Sequence, residues 1–140
     1  MRVFLDTNII IDILAKRQPH YADSQDVMDR CGDLQCEVYI AWHGLATAFY
    51  VFGSVVGEAA AQSAMQGFLQ NARVATVGDS DAHRAFDLGF TDLEDALQAS
   101  AAEACAAQCV VTRNQADFAN SPVPALTPQE FLMQNPVPQP

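Results

Sequence analysis

Short apolar runs alternate with longer stretches of helical period along this chain, and the alternation sets out its elements. Strands are predicted near residues 2–6, 37–41, 74–77, 108–112 and 123–126. Helices are predicted near 8–16, 20–31, 43–54, 57–71, 79–88, 92–106, 114–118 and 128–134. Strands separated by helices pair in parallel, in a sheet covered on both faces. The expectation is an α/β chain with one domain over residues 1–134. Residues 135–140, Asn135-Pro136-Val137-Pro138-Gln139-Pro140, form a flexible tail, because alternating prolines exclude helix and sheet.

Two helix starts are marked by capping boxes: Thr91 with Glu94, and Thr127 with Glu130 behind Pro128. The first fixes a helix start just ahead of Asp95, so Asp92 and Asp95 fall on neighbouring positions of one face. Leu93, Ala96, Leu97, Ala101 and Ala104 are then left to pack on the sheet.

Acidic residues change the picture most. The opening run Val3-Phe4-Leu5-Asp6-Thr7-Asn8 is a strand that ends on a carboxylate, with Asn8 as the expected N-cap of the next helix. In open α/β sheets, ligands gather where strands end and helices begin. An isolated charge at the end of a buried strand is costly. Asp95 and Asp117, after Cys109-Val110-Val111-Thr112, are expected at the same edge. Clustered carboxylates repel unless a cation or a shared proton intervenes, and a divalent metal with oxygen ligands resolves the conflict. Other acids have plainer readings. Glu94 sits in a helix first turn, where the dipole favours it, and Asp92 has that reading open beside metal or water contact. Asp12 is expected to meet solvent or a local Arg, and Asp26, Asp29 and Asp33 a solvated helix face.

The net charge of −10 argues against a large nucleic-acid surface, since phosphate binding is driven by Lys and Arg. Either metal ions carry the ligand, or a partner supplies basic charge, or nucleic acid is not the target. Half the residues are apolar, no run reaches the roughly 18 of a membrane helix, and residues 1–5 lack signal-peptide features, so the expected location is the cytoplasm. Cys31, Cys36, Cys105 and Cys109 lack tight metal-knuckle spacing and read as reduced, mostly buried thiols.

The ordered set Phe4-Leu5-Asp6-Thr7-Asn8, Asp92 through Ala99, Thr112-Arg113-Asn114 with Asp117-Phe118, and Pro122 through Leu132 resembles the PIN domain family, VapC-toxin type. The resemblance spans roughly residues 1–133. It implies a three-layer α/β/α sandwich around a central parallel sheet of about five strands, and a metal-dependent ribonuclease. It implies Asp6, Asp95 and Asp117 as catalytic and metal-holding acids for Mg²⁺ or Mn²⁺, with Asp92 as a further ligand candidate. Asn8, Thr112, Arg113, Asn114 and Thr47 become candidates for positioning water or substrate. The implied partners are RNA as substrate and an antitoxin protein, with a homodimer as a further candidate; no membrane is involved.

Two positions depart from the family pattern. Thr47 stands where a Glu early in the third helix is usual, and Asn114 where nuclease relatives often carry Asp. The alternative function is therefore a PIN scaffold with weakened or lost catalysis, acting as a binding or regulatory module. A receiver-like or phosphatase domain would need a placed lysine, and Lys16 is the only one. His43 reads as a helix-terminal or packing residue, and Trp42, Phe49, Tyr50 and Phe52 as core or dimer interface.

Overall fold

A computed structural model describes all 140 residues. The chain runs β1 (Arg2–Leu5), α1 (Thr7–Leu14), α2 (Tyr21–Asp33), β2 (Glu37–Ile40), α3 (Trp42–Val56), α4 (Glu58–Phe68) and β3 (Arg73–Val74). It continues through α5 (Asp79–Asp87), α6 (Leu93–Ala104), β4 (Cys109–Val111), a 3₁₀ turn (Gln115–Phe118), β5 (Ala125–Leu126) and α7 (Pro128–Gln134). The five strands lie in the order β3-β2-β1-β4-β5, and every pairing is parallel. This is the expected α/β/α architecture, and no helix is long and apolar enough to cross a membrane.

Period-two alternation sorts the side chains between the two faces. Val3, Leu5, Val38, Ile40, Cys109 and Val111 join one core with Ile9, Ile10, Val27, Met65 and Phe131 from the helices. Phe4 and Val110 point the other way, into a second core with Ala99, Ala102 and Phe118. Alanines on α6 let that helix approach the sheet closely. Leu93 and Ala104, expected on that packing face, are exposed instead.

Chain order places the site. From β1 the chain steps outward to β2 and β3, then returns to the other side of β1 with β4 and β5. The ends of β1 and β4 therefore form a switch point, where outgoing loops diverge and leave a crevice. The Asp6 N–H donates to the Val111 carbonyl at 3.0 Å, which fixes Asp6 beside the end of β4. Helix α3 crosses close to the start of α1: a Cβ on Gly44 would lie 2.7 Å from Thr7 Oγ1.

Asp12 has no solvent exposure, so of its two expected partners it takes arginine rather than water. Its carboxylate meets the local Arg17 at 3.0 Å and Arg113 from the loop after β4 at 2.7 Å, while the Ser24 hydroxyl donates at 3.4 Å. Arg113 approaches through both Nε and Nη2, the two-pronged arrangement its planar group favours. One buried acid thus ties α1, α2 and the loop after β4 together.

Substituting Asp12→Ala should remove that tie. The expected loss is about 2–3 kcal/mol, below the roughly 3–5 kcal/mol of a fully buried pair because both guanidinium groups reach solvent. Urea unfolding measures it, and a loss under about 0.5 kcal/mol would mean the acid does not hold the loop.

Candidate metal centre at the sheet edge

Asp6 follows β1 as the N-cap residue of α1 and is 2 % exposed. Asn8, expected to be that cap, lies inside the helix, and its amide oxygen accepts from Arg17 Nη2 at 3.4 Å. Both Asp6 oxygens are held: Thr112 Oγ1 donates to Oδ2 at 2.7 Å and Gln98 Nε2 to Oδ1 at 3.0 Å. Burial pushes the Asp6 carboxyl above its ordinary range, and these two bonds pull partly the other way.

Gln98 is fully buried and works in both directions. Its Oε1 accepts from the Thr7 N–H at 2.9 Å and the Thr7 hydroxyl at 3.2 Å. Its Nε2 reaches Glu94 Oε1 at 3.2 Å as well as Asp6. The opposite amide orientation would set a carbonyl oxygen against two carboxylates. Gln98 lies one turn beyond Glu94, so the bridge from α6 to β1 follows from helical spacing. Sequence reasoning gave Gln98 no role. A polar side chain on an otherwise alanine-rich buried face was the available signal.

Helix α6 starts one residue later than the capping box indicates. Asp92 is the cap, its Oδ1 accepting from the Asp95 N–H at 3.1 Å. Asp92, Glu94 and Asp95 each bring a carboxylate oxygen within 4.8 Å of the others. Glu94, read from sequence as a capping-box and first-turn acid, is thus part of the cluster. Asp117 stands across a cleft of about 470 Å³ that it lines with Asp92, Asp95 and Phe90. The convergence shows at Asp95: burial, then the charges of Asp6, Asp92, Glu94 and Asp117, push its carboxyl up to about 7.

The remaining candidates are placed less directly. Thr112 is fully buried and orients Asp6, while its Oγ1 also accepts from the Asn114 N–H at 3.0 Å. The Asn114 residue itself is exposed. Arg113, a candidate for positioning water or substrate, has its guanidinium engaged by Asp12. Thr47 is exposed, and its hydroxyl donates to the His43 carbonyl at 3.2 Å rather than to any acid. His43, one turn earlier on α3, is the residue that reaches the cluster. Its Nε2 is shut off from water 3.4 Å from Glu94 Oε1, outside hydrogen-bond alignment. Trp42 and Tyr50 are exposed rather than core, whereas Phe52 is buried.

Oxygen donors from one helix and its cap, a strand end and the 3₁₀ turn after β4 suit a hard divalent cation such as Mg²⁺ or Mn²⁺. The orphaned His43 nitrogen beside Glu94 agrees with a site short of one positive charge.

The sequence profile of the PIN domain matches residues 2–116. No curated protein sequence matches the chain. Among solved structures, the fold is similar to VapBC2 from Rickettsia felis bound to a DNA fragment from their promoter. That match has a TM-score of 0.72 and 20 % identity, over 91 % of this chain and 98 % of the other. A toxin–antitoxin complex from Klebsiella pneumoniae gives 0.70 and 20 %, over 90 % and 97 %. Mycobacterium tuberculosis VapC20, a Sarcin-Ricin loop cleaving toxin, gives 0.63 and 15 %, over 77 % and 86 %.

Two outcomes are expected from this geometry. Gln98→Ala should cost about 1–3 kcal/mol in urea unfolding, because the Thr7 N–H and the Asp6 and Glu94 carboxylates lose their shared partner. Asp95 titrates near 7 when folded against an ordinary value of 3.8, so the folded chain holds that proton more tightly than the unfolded chain. Its contribution to stability is complete below the ordinary value and is lost as pH rises through about 7. In metal-free protein, Asp95→Asn should therefore gain in Tm on the wild type as pH rises from about 4 to about 7. A constant difference across that window would contradict the assignment.

Proposed function

We propose that this chain, which belongs to the PIN domain family, is a divalent-metal-dependent ribonuclease of VapC type. The observation that carries the reading is the meeting of Asp6, Asp92, Glu94, Asp95 and Asp117 at one edge of a parallel sheet. VapC20, the Sarcin-Ricin loop cleaving toxin that shares the fold, supports the choice of RNA as substrate, and the toxin–antitoxin complex from Klebsiella pneumoniae supports an antitoxin partner. The exposed Trp42, Tyr50 and Val55 on α3 offer apolar surface to such a partner.

Asp6 and Asp95 would hold the cation, with Glu94, Asp92 and Asp117 around it. Bound there, Mg²⁺ or Mn²⁺ supplies Lewis-acid charge and lowers the pKa of a water for phosphodiester hydrolysis. The chain's own residues prepare that site. Thr112 and Gln98 lock the Asp6 carboxylate by donating to both its oxygens, so it needs no reorientation to accept a cation. Asp95 would give up its proton on becoming a ligand. With a net charge of −10, the chain repels phosphate until its acidic edge is neutralised. Arg113 serves the reading indirectly, by fixing the loop that carries Asp117 to Asp12.

A second reading, a PIN scaffold with weakened catalysis that binds rather than cuts, is favoured by the neutral Thr47 and Asn114. The two separate cleanly. Mn²⁺ should raise the Tm of the wild type, equivalent to about 2.7 kcal/mol at a hundredfold excess over Kd, and Asp95→Asn should lose most of that rise. The wild type should then cleave a mixed RNA substrate set with Mn²⁺ or Mg²⁺, and chelation or Asp95→Asn should reduce cleavage to the metal-free level. Mn²⁺ binding without cleavage of any RNA would move the conclusion to the binding module. No Tm response at millimolar Mn²⁺ would remove the metal site itself.

A further inference from the structure

A second chemically competent pair lies at the opposite edge of the sheet, where α2 ends and β2 begins. The helix closes through two backbone bonds: the Cys36 N–H donates to the Cys31 carbonyl at 2.8 Å and the Gln35 N–H to the Gly32 carbonyl at 3.1 Å. Gln35, between them and the helix, takes a positive φ of 54°. Together these make a Schellman motif in which Cys31 is the first residue of the closing turn and Cys36 the last. That motif brings the side chains of its two end residues into contact, usually as an apolar pair. Here both are thiols. A disulfide needs its Cα atoms within roughly 4.4–6.8 Å and its Cβ atoms facing, which a closed turn of this kind supplies without backbone movement.

Access is unequal. Cys31 is 1 % exposed, while Cys36 is half-buried. Both line a cleft of about 930 Å³, formed with the loop from Leu69 to Arg73 at the end of α4. All four cysteines are free thiols. Burial and the neighbouring Cys36 push the Cys31 thiol well up, so Cys36 is the one placed to react first. Cys109, on β4, is pushed up to about 11 by its own burial.

We propose that Cys31 and Cys36 are a dithiol modification site, closing to an intramolecular disulfide by exchange with a low-molecular-weight disulfide such as oxidised glutathione. In the first step Cys36 loses its proton and its thiolate attacks one glutathione sulfur. The glutathione S–S bond breaks, a protein–glutathione S–S bond forms, and one glutathione leaves as a thiolate. Cys31 then loses its proton and attacks the Cys36 sulfur, forming the Cys31–Cys36 bond and expelling the second glutathione. The two departing thiolates take up the two protons, so one disulfide is reduced as one is formed. The bridge ties the end of α2 to the start of β2, in the frame that sets the register of β1. The inference is independent of the metal site and of ribonuclease activity.

The test uses the folded, full-length chain titrated with oxidised glutathione, read by free-thiol count and tryptic mass mapping. Cleavage after Arg30 and Arg73 leaves Cys31 and Cys36 in one peptide, whereas Cys105 and Cys109 share the peptide 85–113. The expected result is a fall from four free thiols to two, the peptide 31–73 lighter by two hydrogens, and a higher Tm that a reductant reverses. Cys31→Ala should stop at a glutathione adduct on Cys36, and Cys36→Ser should leave Cys31 unmodified in the folded chain. The proposal is overturned by a wild-type adduct that persists without closing, by a crosslink between the two peptides, or by thiols that react only after unfolding.

Discussion

Repulsion among carboxylates gathered at one end of a parallel sheet is the constraint on which the rest of this structure turns. Asp6 is almost wholly removed from water, and it bears on Asp95 together with Asp92, Glu94 and Asp117. Neutral donors hold the arrangement in place: Thr112 on one Asp6 oxygen, Gln98 on the other and on Glu94. They fix geometry without cancelling charge. Asp95 records its burial and the repulsion left over, keeping its proton up to about pH 7 where a carboxyl ordinarily gives it up near 3.8. A cation bound there would relieve that strain, which the chain by itself relieves with a proton.

The sheet topology makes the gathering unavoidable. Because all pairings are parallel, every strand delivers its C-terminal residue to the same edge. The reversal of strand order beside β1 opens the crevice there. Asp12 fixes the loop after β4 through Arg113, so the two buried acids divide the labour. One is paired with cations and serves the frame. The other is held only by the neutral donors Thr112 and Gln98, at the acidic edge.

Much of this was legible in the chain. The strand positions, the parallel class and the Thr127–Glu130 capping box read directly from apolar period and cap chemistry. Asp6, Asp95 and Asp117 stood out because each ends or flanks an apolar run. What escaped depends on contacts between distant segments. Thr91 and Asp92 are both good caps for α6, and only the folded backbone selects Asp92. Glu94 looked like an ordinary first-turn acid until Gln98 and His43 met it. Arg113 looked free because its partner lies about a hundred residues earlier, on α1. Thr47 was placed by family pattern, but helix α3 presents His43 to the acids instead.

The measurement that bears most directly on the acidic edge is proton release on metal binding, obtained from Mn²⁺ titration calorimetry in buffers of different ionisation enthalpy. A ligand must be deprotonated to bind, so Asp95 should discharge its proton as the cation enters. With its carboxyl near 7, the wild type should release about half a proton per cation at pH 7, more at pH 6 and little at pH 8. Asp95→Asn should abolish the release. Binding that releases no proton at any of these values, or a release that Asp95→Asn leaves intact, would contradict the account.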